Sequence, residues 1–286
     1  MNQKLLVTGS EGFVGSRTVL HFKDRGWAVT GIDLAIAREI PGVTKMPLDL
    51  RDAQAVRALE GMDFEYVIHT AADQTSKTIL ANNSAADENL ITCLSRKKKV
   101  KGVIFMSSSL VSTSADIQYT RSKILGENRL CDSGIPFVIL RPDMIYCRDE
   151  KKMIEYSRMI QKGFAVVVGS GKYLRSPTHL DDLLAVFELV LNGNRFPNKV
   201  YEVGSPEPLT MDDIVKTLAL SLGKKARLIH LPLPVAKLLF SLKGGLDVEQ
   251  LATMELDRVS DLQRLKADFA YAPRTFAQGV ESFKKA

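Results

Sequence analysis

Cysteine is scarce in this chain. Among 286 residues there are three, Cys93, Cys131 and Cys147, with no Cys-x-x-Cys pair and an odd number to share between partners. A disulfide framework and a cysteine-rich metal site are thereby excluded, no metal is expected, and a reducing cytoplasm is the simplest setting. Long apolar runs are missing too. None approaches the roughly 20 residues of a membrane helix, so no membrane partner is expected. The first residues lead straight into a strand-like run without a signal-peptide pattern. Internal repeats and low-complexity linkers are also lacking. The composition that remains, 45% hydrophobic and 25% charged, suits one or two compact domains with an ample core. A net charge of +6 suits an anionic substrate. Its densest cluster, Arg96-Lys97-Lys98-Lys99 with Lys101, falls where a helix should end. That reads as a solvated complement to the helix dipole, and no nucleic-acid partner is expected.

Apolar runs at 5–7, 28–32, 66–69, 102–106 and 137–140 alternate with helical patterns near 13–25, 53–59, 83–96 and 119–132. The alternation predicts an α/β fold, a parallel sheet with helices on both faces. Beyond Arg141-Pro142 the regularity weakens, with helical patterns near 152–162 and 211–222 and a returning strand at 200–203. The expected division is a nucleotide-binding domain over 1–150, completed by 176–205. The smaller lobe, expected to bind substrate, takes 151–175 and 206–286. The stretch 231–242 opens with Pro232 and Pro234 and offers only Lys237 and Lys243 as a basic face. It reads as a proline-initiated helix packed on the small lobe rather than a membrane-surface helix.

The turn after the first apolar run is punctuated by Gly9, Gly12 and Gly15, in the strand-turn-helix context that a dinucleotide pyrophosphate requires. Gly9 allows the tight turn, Gly12 the approach of phosphates, and Gly15 close packing of helix on strand. The N–H groups of the turn and helix start, through Glu11, Phe13 and Val14, would face the anion. Asp33 ends the second apolar run, 18 residues past Gly15, where the adenosine ribose should lie. A carboxylate there accepts from a ribose diol and repels a 2′-phosphate, so NAD is expected rather than NADP, with Arg38 a nearby cation.

Tyr119 and Lys123 stand four apart at the start of a helical pattern and so share one face. A free phenol, with a pKa of about 10, is a poor base, and a neighbouring ammonium makes it a better one. Ser107-Ser108-Ser109 follows the strand-like run 102–106, at the sheet edge where ligands bind. A hydroxyl there can hydrogen-bond a reacting oxygen.

Taken together, these segments resemble the short-chain dehydrogenase/reductase superfamily, in particular its extended branch, the NAD-dependent epimerase/dehydratase family, over nearly the whole length. Further stretches carry the resemblance. Thr70-Ala71-Ala72 after His69 is similar to the small residues lying against the cofactor, Asp49-Leu50 to the pair beside the adenine, and Asn83 with Asn89-Leu90 to the family's helix motif. Ser108-x-x-Val111 and Arg141-Pro142 also match. The resemblance implies a Rossmann-type doubly wound sheet with a smaller C-terminal substrate-binding lobe. It implies Ser108, Tyr119 and Lys123 as catalytic residues, with Tyr119 and Lys123 also holding the cofactor beside Ser107, and a homodimer, often formed through the helix bearing Tyr119. Gly171-x3-Arg175-x3-His179 is similar to a motif whose arginine grips the diphosphate of a nucleotide-sugar, so Arg175, with Ser108 and Ser109, is assigned to substrate. His179 is expected to orient backbone and His69 to be packed.

The chain also departs from the pattern. Only ten residues separate Ser108 from Tyr119, Ser112 stands where tyrosine is common, and Cys147-Arg148 replaces Gly-Pro. The pocket should be shorter and more open. The short loop also resembles the atypical branch, some of whose members are sensors or subunits of larger complexes. The expected activity is hydride transfer at a sugar carbon of a nucleotide-sugar, with epimerisation ahead of ketone reduction. Dehydration comes last, because Ser109-Leu110 offers no carboxylate. A reductase of a non-sugar ketone and a non-catalytic NAD-binding sensor are the alternatives.

Overall fold

The computed structural model describes residues 3–243, 251 and 253–284. Its elements run β1 (Lys4–Thr8), α1 (Phe13–Lys23), β2 (Ala28–Asp33), β3 (Val43–Pro47), α2 (Ala53–Val56), β4 (Tyr66–His69), α3 (Ile79–Ser95), β5 (Gly102–Met106), α4 (Gln118–Asp132) and β6 (Phe137–Tyr146). There follow α5 (Lys151–Gln161), β7 (Phe164–Val168), β8 (Leu174–Arg175), β9 (Pro177–His179), α6 (Leu180–Asn192), β10 (Lys199–Val203), β11 (Leu209–Thr210), α7 (Met211–Ser221), β12 (Arg227–Leu231), α8 (Leu233–Lys243), α9 (Gln263–Phe269) and α10 (Phe276–Glu281). The chain divides into two compact units, one of residues 1–108, 118–141 and 184–201, the other of 109–117, 142–183 and 202–286.

The main sheet has the order β3-β2-β1-β4-β5-β6-β10, with parallel pairing from β3 through β6. It is a Rossmann-type sheet. Leu6, Val67, Phe105 and Ile139 from its strands join Leu90 and Leu94 of α3 and Leu130 of α4 in one core cluster. These strands are apolar at nearly every position because both sheet faces are covered. β1 lies between β2 and β4, so the crossovers leave it in opposite directions and open a crevice beyond its C-terminal end. Helix α1 begins at that end. Its first turn carries no acidic residue, while His21 and Lys23 occupy its last turn, both favourable to the helix dipole.

The structure differs from the sequence expectation at three places. β3 is an edge strand whose Thr44 and Lys45 break the apolar pattern, so periodicity does not reveal it. α3 starts at Ile79, placing Asn83 in its second turn rather than at its start. β6 continues past Pro142 to Tyr146; a bulge between Asp143 and Ile145, with Met144 at φ 32°, absorbs the proline's missing donor. The basic cluster does sit at a helix end: Arg96 caps α3, and Lys97 donates to the carbonyls of Glu60 and Met62 at 2.9 and 2.8 Å.

In the second unit β7 pairs in parallel with β12, and β8 pairs antiparallel with β11. Tyr146, Met153, Ile160, Val167, Ile214, Leu218 and Phe276 fill its core. In α8, Ala236 is buried while Val235, Leu238 and Leu239 are exposed, so among its described side chains the helix packs through a narrow seam. The side chains of 240–243 lie outside the described residues. No described helix is long and apolar enough to cross a membrane.

The helix-strand approach at the crevice rests on Gly15: a Cβ there would lie 2.0 Å from the Gly9 carbonyl oxygen and 2.9 Å from Thr70 Oγ1. Because the first obstacle is backbone, Gly15→Ala is expected to cost about 1–3 kcal/mol in urea unfolding. A change within roughly 0.5 kcal/mol, as at an ordinary surface position, would remove this packing argument.

Candidate functional site

The glycine turn is built from backbone contacts. Gly9 takes φ +67°, its carbonyl accepts from the Gly12 N–H at 3.0 Å, and a Cβ on it would meet the Ala71 Cα at 2.7 Å. The loop therefore lies directly on the Thr70-Ala71 segment that follows β4. Beyond it, the first-turn N–H groups of Phe13 and Val14 have no intrahelical acceptors and carry the positive end of the helix dipole.

These residues wall a cavity of about 460 Å³. Gly9, Glu11, Gly12 and Asp33 form one side of it, and Asp49, Leu50, Thr70, Ala71, Ala72 and Asn83 the other. Asp33 accepts from the N–H groups of Glu11 at 2.9 Å and Leu34 at 2.7 Å, which aims its carboxylate at the cavity. The remaining lone pairs suit a ribose diol. Asp49 is clamped by Arg51, whose Nε and Nη2 donate at 2.9 and 2.7 Å. That hydrogen-bonded fork holds the Asp49 carboxyl below the ordinary range. Asn89 fastens the same loop by donating to the carbonyls of Leu50 and Arg51, both at 3.0 Å. A glycine cradle with no room for Cβ atoms, a helix N-terminus and an acceptor at the ribose wall together fit a dinucleotide.

Asn83 is less a ligand than a brace. Its Oδ1 accepts from the Asp73 N–H at 2.6 Å, and its Nδ2 donates to the Asp73 carbonyl at 3.0 Å and Ser122 Oγ at 3.1 Å. Asp73, a cavity residue the sequence reading missed, is partly buried. Hydrogen bonds from Ser76, Asn82 and the N–H groups of Thr75 and Ser76 outweigh that burial and hold its carboxyl far below the usual range. A turn-forming aspartate carries no motif of its own, so nothing in the chain marked it.

Ser107 and Ser108 follow the end of β5, and α4 brings Lys123 to that end, with Tyr119 one turn before it. Lys123, 3% exposed, donates to the Met106 carbonyl at 2.8 Å, and its Nζ lies 5.9 Å from the Tyr119 ring centroid. Burial pushes the Lys123 pKa down, while the Asp87 and Glu127 carboxylates pull it up. The three serines separate by environment. Ser107 donates to Glu127 Oε1 at 2.5 Å, and Arg141 grips the same carboxylate through Nε at 2.8 Å and Nη2 at 2.5 Å. Ser109 donates to Asp143 Oδ1 at 3.2 Å. Both are buried; Ser108 and Tyr119 are half-buried. Glu127, also missed, lies one helical turn beyond Lys123 and ties the Arg141-Pro142 strand to α4.

The histidines are structural. His69 is 1% exposed between Thr8 Oγ1 at 2.6 Å and Asp87 Oδ1 at 2.8 Å, and His179 Nδ1 accepts from the Asp181 N–H at 3.1 Å. Among the described residues no cluster suited to a metal ion occurs.

Arg175 departs from the open diphosphate grip expected of it. The residue is 4% exposed, Nη1 donates to the carbonyls of Leu174 at 2.9 Å and of Leu256, Nη2 donates to Met254, and the guanidinium lies 4.5 Å over the Tyr173 ring. Burial lowers its pKa to about 10. The sequence shows a conspicuous arginine but not the two carbonyls, about 80 positions later in the chain, that occupy it.

The profile of the NAD dependent epimerase/dehydratase family matches residues 5–204. N-acetyl-alpha-D-glucosaminyl-diphospho-ditrans,octacis-undecaprenol 4-epimerase from Escherichia coli O157:H7 is 27% identical over 263 residues, covering 83% of this chain and 78% of its own. UDP-glucose 4-epimerase from Thermotoga maritima, solved with UDP-glucose, has the same fold at TM-score 0.79 and 18% identity, covering 98% of this chain and 96% of that one. UDP-glucuronic acid 4-epimerase from Bacillus cereus, solved with UDP-glucuronic acid and NAD, gives 0.75 at 22% identity, with 98% and 97% covered.

With Asp33 at the ribose wall, Asp33→Ala is expected to weaken NAD binding by about tenfold and to narrow the preference over NADP, as read by fluorescence titration. Equal affinity of the native protein for the two nucleotides would contradict the assignment.

Proposed function

Because the chain belongs to the NAD dependent epimerase/dehydratase family, and NAD is that family's cofactor, we propose that it epimerises a nucleotide-sugar by transient oxidation at one sugar carbon. The observation that carries this reading is Lys123, a buried lysine set on the face of α4 shared with Tyr119, with its Nζ 5.9 Å from the phenol ring.

In this reading NAD supplies the hydride acceptor at its nicotinamide. Tyr119 takes the proton of the substrate hydroxyl as the carbon is oxidised, and Lys123 stabilises the phenolate that results. Ser108 donates a hydrogen bond to the reacting oxygen. Ser107, committed to Glu127, and Ser109, committed to Asp143, hold the chain on either side of it. Once the ketone presents its other face, Tyr119 returns the proton to the oxygen, and bound NAD would supply the hydride that reduces the carbon. Proton and hydride are both restored, so no external oxidant is consumed. A substrate diphosphate is a stronger acceptor than a main-chain carbonyl. Its seating on Arg175 is therefore an exchange in which Met254 and Leu256 release the guanidinium.

Tyr119→Phe is expected to lower turnover by about 10²–10⁴-fold while NAD affinity stays within a few-fold. Unchanged turnover in that variant removes Tyr119 as acid and base. UDP- and dTDP-sugars are expected to raise the melting temperature of the native protein and not that of Arg175→Met. No shift with any nucleoside diphosphate, or an equal shift in the variant, counts against the diphosphate at Arg175.

A further inference from the structure

Lys45 is the inward-facing cation of β3. Its side chain is 2% exposed and pairs with Glu11, whose own side chain is 19% exposed and lines the dinucleotide cavity. Strand register sets Lys45 beside Gly31, two residues before Asp33. The Glu11 N–H donates to Asp33, and Glu11 Oε2 accepts from the Ala37 N–H at 3.3 Å. Glu11 is therefore tied to Asp33 through its backbone and to Lys45 and Ala37 through its carboxylate, and Glu11 and Asp33 line the same cavity. Arg51, a cation that lines the same cavity, is already forked onto Asp49.

We propose that Glu11 is a second selector against a 2′-phosphate, and that Lys45 is a phosphate counter-ion which Glu11 masks. The inference rests on this cavity seating the adenosine ribose. Two like-charged carboxylates at one wall repel a phosphate ester more than either alone. The masking follows from the burial of the pair. A buried ion pair that loses one member leaves the other uncompensated, and the remaining charge gains strongly from any new counter-ion. Replacing Glu11 by its neutral isostere thus makes two changes of the same sign: it removes a repulsion and exposes a cation. The Asp33 effect differs in kind, since its loss also removes an acceptor for the ribose diol.

The test is equilibrium binding of NAD and NADP, followed by fluorescence titration or calorimetry, to the native protein, Glu11→Gln and Glu11→Gln/Lys45→Met, each with its melting curve. The native protein is expected to prefer NAD. In Glu11→Gln the ratio of NADP to NAD dissociation constants should fall by about tenfold or more, and adding Lys45→Met should restore most of it. Equal weakening of both nucleotides in Glu11→Gln overturns the proposal, and a gain for NADP that is undiminished by loss of Lys45 overturns Lys45 as the masked counter-ion. If Glu11→Gln does not fold, Lys45→Met alone decides. The freed Glu11 carboxylate should then push NADP binding below the native value, and unchanged NADP binding overturns the proposal. Failure of the native protein to bind either nucleotide would instead sink the cavity assignment beneath it.

Discussion

The constraint on which the rest depends is a contact of backbone with backbone, where the start of α1, the Gly9 carbonyl and the chain leaving β4 meet without an intervening side chain. With Gly15 against the Gly9 oxygen and Gly9 against Ala71, the helix N-terminus is held over the end of β1. The cavity follows from that. Its floor is the glycine turn, its ribose wall is the end of β2, and its far wall is the loop that Asn89 pins from α3. The positive end of the α1 dipole acts on a cavity only because nothing separates the two.

A second constraint organises the end of β5. A lysine is rarely 3% exposed without compensation. Here a carbonyl takes one donor of Lys123, and two carboxylates act on it through space. Each carboxylate is itself anchored elsewhere, Asp87 to His69 and Glu127 to Arg141 and Ser107. The ammonium lies 5.1 Å from the Phe105 ring centroid and 5.9 Å from that of Tyr119. This anchoring explains why α3, α4 and β6 carry charge in an otherwise apolar core.

Elements whose signals are local were legible in the chain. Tyr66–His69 and Gly102–Met106 stand out as unbroken apolar runs because both their faces are covered, and the glycine turn stands out because only glycine fits it. β3 was not legible, since its partly exposed edge relieves it of an apolar pattern, and the extension of β6 was hidden by Pro142. Among the candidate residues, Asp33 and the pair Tyr119 and Lys123 are marked by their spacing in the chain. Glu127 and Lys45 are not, because their partners lie 14 to 34 positions away, and Asp73 is not, because the local turn that holds it carries no motif of its own.

That distinction bears on specificity. The residues proposed for the chemical step fall within one stretch of chain, from Ser108 to Lys123, so a sequence pattern captures them. Selection depends on which charges are already neutralised. Arg175, Lys45 and Arg51 all look available in the sequence, yet each is engaged, by main-chain carbonyls, by Glu11 and by Asp49. An anion arriving at any of them must displace an existing partner, and its binding energy is the difference between the two arrangements rather than the strength of the new contact. Phosphate outcompetes a neutral carbonyl more readily than a carboxylate. By that ordering an exchange of partners asks less of Arg175, held by main-chain carbonyls, than of Lys45 and Arg51, each held by a carboxylate.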